Sequence, residues 1–217
     1  MKKIVAINAS PRPEWNTGIL VREAARGAEA EGAEVTVIDL YKLEKFMGCM
    51  SCFACKMPAA QGKCIYPDGL APVLEMIRQA DGLVMGTPNY LGNVSAGFRA
   101  LYERLIFQLI TYQKENYSYS TRKIPVLLIM TSNAAEEAYE RIGYDEMLAG
   151  YEGTLNNYIG PTKVLISGNT LQVEDYSRFN WTMFDPEAKK ARREEVFPIE
   201  KEKAFNFGKD MAAGNWA

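Results

Sequence analysis

The sequence contains no histidine among its 217 residues, and this absence excludes more chemistry than any motif in the chain establishes. Hydrolases that pair a serine or cysteine nucleophile with an imidazole base are excluded, as are most zinc enzymes, because their ligands include imidazole. If the chain is an enzyme, its reaction is expected to need little proton transfer by side chains. That expectation favours a cofactor that carries the reactive atoms itself.

The chain also lacks an excess of charge and a long apolar run. Its 25 basic and 27 acidic residues give a formal net charge of -2, so no long-range field favours nucleic acid or an anionic membrane surface. No segment reaches the roughly 18 consecutive apolar residues of a membrane span. The first apolar segment ends by Asn8 and is short for a signal peptide. We expect a cytoplasmic protein that binds neither nucleic acid nor membrane.

Segments typical of strands and of helices alternate along the chain. Helices are predicted over about 17–31 and 70–80, and Ser95 is a candidate cap for a long helix with apolar residues from Phe98 to Leu109 at helical spacing. The predicted strands are KKIVAIN, EVTVIDL, GLVMGT, PVLLIMT and TKVLISGNTL. Because these strands lack clean alternation and helices separate them, they predict a doubly wound α/β fold with helices on both faces of a parallel sheet.

The whole chain, residues 1–217, is expected to form one domain. It includes a cysteine-bearing loop at 47–66 and a helical tail at 185–217. The tail is charged but balanced, and we expect it to break near Pro198 and to dock Phe205 and Phe207 on the sheet.

A polar loop, NASPRPEWNTG, follows the first strand and precedes the first helix. In an open parallel sheet, ligands bind beyond the carboxyl ends of the strands. The N–H groups of the first helical turn would face an anion there, Arg12 can pair with phosphate oxygens, and Ser10, Asn16 and Thr17 add neutral donors. The alternative is a surface turn in which Asn16 or Thr17 only caps the helix. No GxGxxG or GxxxxGK[ST] motif is present to indicate a nucleotide site of those kinds.

A second loop follows the third strand, in GTPNYLGNVSAGFRALYERL. Its glycines allow the backbone to approach a flat ligand closely, and Tyr90 could stack on such a ring or could pack inside the protein. The two loops together are more specific than either one.

The patterns S-x-R-x3-N-T after the first strand and P-N-Y-L-G-N-V-S-A before a long helix resemble those of the NAD(P)H-dependent FMN reductases and the related iron-sulfur flavoproteins. The resemblance implies a flavodoxin-like sheet of five strands in the order 2-1-3-4-5. It assigns the first loop to the FMN phosphate and two further segments to the flavin. The residues it implies are Ser10, Arg12, Asn16 and Thr17 at the phosphate, Pro88, Asn89, Tyr90, Gly92 and Asn93 along the ring, and Thr131 and Ser132 beside it.

The same resemblance implies the reaction. NAD(P)H would pass a hydride to N5 of the bound FMN, and a small acceptor such as a flavin or a quinone would then take two electrons. No catalytic side chain is expected, which agrees with a chain that has no histidine. A homodimer or a dimer of dimers is also implied, and Tyr102, Phe107 and Tyr112 are candidates for its contact.

All four cysteines, Cys49, Cys52, Cys55 and Cys64, lie within sixteen residues. The opening C-x2-C-x2-C resembles a bacterial ferredoxin run, so the four thiols are candidate ligands of a [4Fe-4S] cluster. Alternatively, they are reduced cysteines that pack as small apolar residues. Three functions therefore stay open: a flavin enzyme that uses NAD(P)H, an iron-sulfur flavoprotein that carries electrons, and a flavin-binding module without catalysis.

Overall fold

The computed structural model describes residues 1–216, and this part of the chain contains six strands and seven α-helices. The strands are β1 (Lys3–Asn8), β2 (Glu34–Asp39), β3 (Gly82–Tyr90), β4 (Asn93–Val94), β5 (Val126–Thr131) and β6 (Thr162–Ser167). The helices are α1 (Asn16–Ala30), α2 (Ala71–Gln79), α3 (Ala96–Phe107), α4 (Tyr139–Ile142), α5 (Tyr144–Tyr158), α6 (Pro186–Glu195) and α7 (Phe197–Ala213).

Five of the strands form a parallel sheet in the order β2-β1-β3-β5-β6. Counted without β4, this is the order 2-1-3-4-5, so the predicted fold class is confirmed. The short strand β4 was not predicted, and it pairs antiparallel with the end of β3, where Asn89 lies opposite Val94. The winding direction reverses between β1 and β3, which leaves a crevice beyond their carboxyl ends.

Helices cover both faces of the sheet because successive residues of each buried strand point to opposite sides. Along β1, Val5 and Ile7 join the core formed with α2, α3 and α5, whereas Ile4 and Ala6 join the core formed with α1 and α7. Both cores extend to the carboxyl ends of the strands, so the loops that follow the strands begin from well-packed residues.

The C-terminal tail forms α6 and α7, with a break at Val196 and Pro198 in the first turn of α7. Helix α7 packs so closely on α1 that a Cβ at Gly208 would lie 1.8 Å from the carbonyl oxygen of Ala24. Of the two residues expected to dock on the sheet, Phe207 packs against the core on this face, whereas Phe205 does not and lies beside Arg26 of α1 at 5.9 Å. Helical spacing instead buries the residues at the core-facing side of α7, which are Phe197, Ala204, Gly208 and Met211.

Helix α3 begins as predicted, because the Ser95 side chain accepts a hydrogen bond from the Phe98 N–H at 3.3 Å. It ends at Phe107, however, which is earlier than the apolar spacing predicted. Leu109 stays buried in the turn that follows, so the apolar pattern continues past the end of the helix. Tyr112 has a left-handed backbone with φ of +60° and lies outside α3.

Candidate functional site

A cleft opens beyond the carboxyl ends of β1, β3 and β5, and we call it the strand-end cleft. Its volume is about 250 Å³. Nine of the eleven residues predicted for the cofactor site line it, and Gly92 and Asn93 do not. The lining residues are Ser10, Arg12, Trp15, Asn16, Thr17, Pro88, Asn89, Tyr90, Thr131, Ser132, Asn133, Thr170, Gln172, Val173 and Trp181.

The loop after β1 is ordered by its own hydrogen bonds. The Ser10 N–H donates to Asn8 Oδ1 at 3.1 Å, and the Arg12 N–H donates to Ser10 Oγ at 3.1 Å. Helix α1 then starts at Asn16 without a side-chain cap. The N–H groups of its first turn therefore remain available to a ligand, at the end of the helix where the dipole favours an anion.

Arg12 lies at the open side of this loop. Its guanidinium stacks over the Trp15 ring at 4.3 Å and donates one hydrogen bond to the Gln172 carbonyl at 2.6 Å. A guanidinium has five N–H donors, so this arrangement orients Arg12 and leaves donors for a phosphate.

The side chains of Asn16 and Thr17 are already occupied by protein groups. Asn16 Nδ2 donates to the Leu171 carbonyl at 2.8 Å, and Asn16 Oδ1 accepts from Arg193 at 2.7 Å. The Thr17 and Thr131 hydroxyls share a hydrogen bond of 2.7 Å. These two buried side chains hold the loop against β5 and the segment after β6, so the loop would offer an anion other donors, which include its backbone N–H groups and Arg12.

The β3–β4 turn forms another wall of the cleft. Leu91 and Gly92 both have positive φ, at +55° and +82°, and the Gly92 N–H donates to Asn89 Oδ1 at 3.0 Å. That bond turns Asn89 Nδ2 into a buried position where it has no hydrogen-bond partner among the described residues. Asn93 instead accepts from the Tyr151 hydroxyl at 2.8 Å, which keeps its side chain on the far side of the turn.

Tyr90 stands at the mouth of the cleft with 45% of its surface exposed. Burial of its hydroxyl and the neighbouring Tyr41 raise its pKa, against the opposing charge of Arg12. The phenol therefore stays neutral at physiological pH, and its ring offers a face to a ligand in the cleft.

The end of β5 is tied to α4. The Tyr139 hydroxyl donates to Ser132 Oγ at 2.8 Å, and that oxygen donates to the Ala134 carbonyl at 2.7 Å. Burial raises the pKa of Tyr139, so this hydroxyl remains a donor. Ser132 is thus fixed beside the cleft, and Thr170 donates to the Ser132 carbonyl at 2.9 Å.

Sequence reasoning missed the segment after β6, residues 168–184, which returns over the cleft. Gln172 Oε1 is buried there without a hydrogen-bond partner in the described chain. Trp181 stacks on Phe179 at 4.4 Å. The aromatic spacing in YSRFNW is the one signal that could have indicated a packed segment. The missed lining residues are Trp15, Asn133, Thr170, Gln172, Val173 and Trp181.

A second cavity, which we call the cysteine cavity, has a volume of about 20 Å³ and is lined by all four cysteines together with Phe53, Arg104, Phe107 and their neighbours. Ser51 and Phe53 have left-handed backbones on either side of Cys52, and these turns bring the cysteines to one cavity. Cys55 is buried, and burial raises the pKa of its thiol. Within residues 1–216, no three cysteine or carboxylate side chains are close enough together to hold a metal ion.

The cysteine cavity is held by one buried ion pair. The Arg104 and Asp68 side chains are 1% and 7% exposed and meet at 2.6 Å. Burial opposes both charges, but the hydrogen bonds between the two groups lower the pKa of Asp68 and raise that of Arg104. Arg104 Nε also donates to Cys64 Sγ at 3.4 Å, and another nitrogen donates to the Tyr66 carbonyl at 3.0 Å.

Comparison with known proteins identifies the family. The family model described as NADPH-dependent FMN reductase matches residues 2–140. The chain belongs to this family. The match includes the loop after β1, the β3–β4 turn, the end of β5 and the cysteine cavity, but not residues 168–184 or α6.

The sequence relatives of this family member are named iron-sulfur flavoproteins. One from Methanocaldococcus jannaschii is 38% identical over 114 residues, which are 52% of this chain and 57% of that protein. One from Archaeoglobus fulgidus is 35% identical over 104 residues, which are 47% of this chain and 48% of that protein. The chain therefore spans about half the length of the curated relatives it matches.

Solved structures are similar over nearly the whole chain. An azoreductase from Bacillus anthracis gives a TM-score of 0.67 at 16% identity and covers 97% of this chain and 100% of that one. An NAD(P)H:quinone oxidoreductase from Methanothermobacter marburgensis gives 0.63 at 15% identity and covers 96% of each. At this identity the likeness establishes the flavodoxin-like fold alone. No helix in the described part of the chain is both long and apolar enough to cross a bilayer.

The strand-end cleft of this FMN reductase family member fits FMN chemically. Asn89 Nδ2 is an unpartnered donor and Gln172 Oε1 an unpartnered acceptor, and both are buried in the cleft wall. A buried polar atom without a partner is costly, and a flavin ring edge offers both acceptors and an N–H donor. The uncapped start of α1 and Arg12 suit its phosphate.

Proposed function

We propose that this chain is an FMN-dependent oxidoreductase that passes electrons from NAD(P)H through bound FMN to a small acceptor such as a flavin or a quinone. Family membership supports an oxidoreductase that uses FMN. The observation that carries the proposal is the pair of unpartnered amide atoms of Asn89 and Gln172, in the same cleft as the uncapped start of α1.

In this proposal the side chains bind and orient the cofactor, and none of them donates or accepts a proton in the reaction. The Ser10 hydroxyl, the Arg12 guanidinium and the first-turn N–H groups of α1 would hold the phosphate, and the amides of Asn89 and Gln172 would hold the ring edge. When bound, FMN supplies the hydride and electron chemistry. The absence of histidine is compatible with a reaction in which the cofactor supplies the chemistry and the side chains only bind it.

Two aromatic side chains at the mouth of the cleft offer faces to a second ligand. Tyr90 is 45% exposed and Trp181 is 42% exposed, and both line the cleft. Flat rings such as a nicotinamide or a quinone stack well on exposed aromatic surfaces. We therefore assign Tyr90 and Trp181 to the binding of NAD(P)H and of the electron acceptor. These two ligands would occupy the open side of the cleft one after the other.

The test is reconstitution and reduction of the purified protein. We expect the protein to bind FMN in a one-to-one complex and the yellow complex to bleach rapidly under anaerobic addition of NADH or NADPH. Free FMN at the same concentration is the control. A protein that binds FMN but is bleached no faster than free FMN would be a flavin-binding module, and a protein that FMN cannot reconstitute would refute the proposal.

A second candidate function is that of an iron-sulfur flavoprotein that carries electrons, with FMN and a [4Fe-4S] cluster. The observation that favours it is the presence of Cys49, Cys52, Cys55 and Cys64 around one cavity, in a chain whose sequence relatives carry that name. Thiolates are the ligands that such clusters use, so the donor set fits, although in the described residues the thiols are not gathered around one metal position.

Iron and acid-labile sulfide analysis of protein purified without oxygen decides between these functions. The carrier requires about four irons and four sulfides per chain, slow reduction by NAD(P)H, and loss of iron in Cys52→Ala but not in the matched control Ser51→Ala. Iron-free protein that NAD(P)H reduces rapidly would support the first function. The homodimer or dimer of dimers stays a prediction, although Tyr102 packs internally on Tyr151 at 4.8 Å.

A further inference from the structure

Helix α6 presents two cationic side chains to the wall of the strand-end cleft. Lys189 and Arg193 are four residues apart and therefore lie on the same side of the helix. Lys189 is only 3% exposed, and its Nζ donates to the side-chain oxygens of Asn133 at 2.6 Å and Asn169 at 2.8 Å. Arg193 donates to Asn16 Oδ1 at 2.7 Å. Asn133 and Asn16 both line the cleft.

Neither cation has an acidic partner. Among the described residues, no carboxylate oxygen lies within the 4.0 Å of an ion pair from Lys189 or Arg193, and the cleft lining contains no aspartate or glutamate. The nearby carboxylate of Glu200 is used by Arg192 and by the Ser167 hydroxyl. Arg12, the charged residue of the lining itself, likewise lies outside every ion pair in residues 1–216.

This arrangement is costly for a protein without a ligand. Buried charges are normally paired, and like charges at this helical spacing repel each other. The consequence is visible at Lys189, because burial and the charge of Arg192 lower its pKa to about 8. Within residues 1–216 only neutral groups meet the two charges: oxygens and the Phe184 ring at 5.3 Å for Lys189, and the Phe197 ring at 3.9 Å and the Asn16 oxygen for Arg193. An anion in the cleft would therefore meet both cations without a competing carboxylate.

We propose that Lys189 and Arg193 form a cationic layer behind the amide wall of the cleft that compensates the charge of a phosphate monoester bound at residues 10–18. The inference rests on the proposed function, which identifies that ester as FMN. The two cations act as positioning residues, since each holds the side-chain oxygen of an asparagine in the cleft wall. With its oxygen turned to Lys189, Asn133 directs its Nδ2 donor away from that lysine.

The inference assigns a role to a part of the chain that the family match does not reach, since the match ends at residue 140. It also explains why the segment after β6 returns over the cleft. In the described residues, Lys189 Nζ donates to oxygens of the loops after β5 and β6, which also include the Asn133 and Thr170 carbonyls, both at 3.3 Å. The cation thereby fixes both loops to α6 at the edge where the ligand charge would lie.

The experiment compares FMN with riboflavin, which lacks the phosphate, by fluorescence titration of Lys189→Met. The matched control is Lys190→Met, since Lys190 is the next residue, is exposed and pairs only with Glu187. We expect the FMN dissociation constant of Lys189→Met to rise at least about tenfold while that of riboflavin changes less than about twofold. Lys190→Met should bind both flavins as the unchanged protein does.

Equal weakening of FMN and riboflavin in Lys189→Met, or no weakening of either, would overturn the inference. Arg193→Met provides the same comparison if Lys189→Met fails to fold, as judged by near-ultraviolet circular dichroism. If the unchanged protein binds neither flavin, the proposed function fails separately. Inorganic phosphate then tests the inference alone: it should raise the melting temperature of the unchanged protein more than that of Lys189→Met, and equal shifts would refute it.

Discussion

The strand-end cleft and the cysteine cavity differ in how they are built. The strand-end cleft is open, about 250 Å³ in volume, and its walls come from four separate segments at the ends of strands. The cysteine cavity is much smaller, about 20 Å³, and its walls come from the loop at 47–66 and one face of α3. The cleft therefore takes its shape from the sheet, whereas the cysteine cavity takes its shape from contacts within a loop.

This difference predicts how each cavity responds to substitution. The loops around the cleft are tied to each other and to α6 by many hydrogen bonds, so loss of one contact should change ligand affinity more than stability. The cysteine cavity depends on Arg104, which reaches Asp68, Cys64 and the Met47 carbonyl from one position on α3. Loss of that residue should affect stability more than any change in the cleft does.

The largest effect is expected for Arg104→Met. Removal of the guanidinium leaves the buried carboxylate of Asp68 without its cationic partner and with only the Met47 and Leu70 N–H groups as donors. Breaking a buried pair in this way costs about 3–5 kcal/mol. Urea denaturation should show that loss of stability. Thiol titration should also become faster, because the buried Cys55, whose pKa is raised by burial, would become accessible.

Two further variants sharpen this result. Adding Asp68→Asn to Arg104→Met should recover part of the lost stability, because the unpaired carboxylate is then absent. Arg99→Met, an exposed substitution in the same helix, should change stability by less than about 1 kcal/mol. If Arg104→Met weakened FMN binding as strongly as it changed thiol reactivity, the two cavities would not be independent structures.

The next largest effect is expected for Arg12→Ala at the cleft. A charged hydrogen bond contributes about 1.5–3 kcal/mol, so the binding free energy of FMN should become less favourable by that amount. The stability of the protein and the reactivity of its thiols should stay the same. Isothermal titration with FMN measures the change, and Arg26→Ala, an exposed arginine of α1, is the control. Unchanged FMN affinity in Arg12→Ala would contradict the assignment of the FMN phosphate to this loop.

Much of this fold was predictable because its signals are local. Continuous apolar runs such as GLVMG could only be buried strands of a covered sheet, and Ser95 carried a cap signal that the structure confirms. The strand β4 was not predictable, since two residues, Asn93 and Val94, contain no periodic pattern. The end of α3 was missed because Leu109 packs on the core from a turn and so continues the apolar spacing of the helix.

The cleft was predictable only where its residues follow strands directly. Ser10 and Arg12 come just after β1, and carboxyl ends of neighbouring parallel strands meet at one edge of the sheet. Gln172 and Lys189 reach the same edge through an irregular segment and a separate helix, so no spacing in the sequence relates them to the cleft. Asn16 was assigned a ligand role from its residue type, whereas its side chain is bonded to Leu171 and Arg193.

A third, smaller effect is expected from pH. The pKa of Lys189 is lowered to about 8 in the ligand-free protein from its usual 10.5, and a bound phosphate dianion would raise it again. FMN binding should therefore take up a proton above pH 8, and affinity should fall about tenfold between pH 7 and pH 9. The charged groups of the two C-terminal helices near Lys189 are Arg192, Arg193 and Glu200. Burial raises the pKa of Tyr139, so its hydroxyl stays neutral in this range.

The same group predicts the opposite trend for stability of the ligand-free protein. An unfolded lysine binds its proton more tightly than Lys189 does in the fold, so the unfolding free energy contributed by this group should rise between pH 8 and pH 10. Both trends should be reduced in Lys189→Met and retained in Lys190→Met. Affinity that stays constant from pH 7 to pH 9 in the unchanged protein would contradict a cationic layer behind the cleft.

The smallest effect is expected for Ser95→Ala, at the cap of the helix whose other end lines the cysteine cavity. The Ser95 hydroxyl caps α3 and donates to the Ala9 carbonyl at 2.7 Å, just before the loop that lines the cleft. Loss of a cap costs about 1 kcal/mol, and the freed Ala9 carbonyl should loosen that loop and weaken FMN binding a few-fold. The other end of α3 is held separately, because Lys56 donates to the Ile110 carbonyl at 2.6 Å. Thiol reactivity at the cysteine cavity should therefore be unchanged in Ser95→Ala, and a parallel rise in thiol reactivity would mean that α3 couples the two cavities.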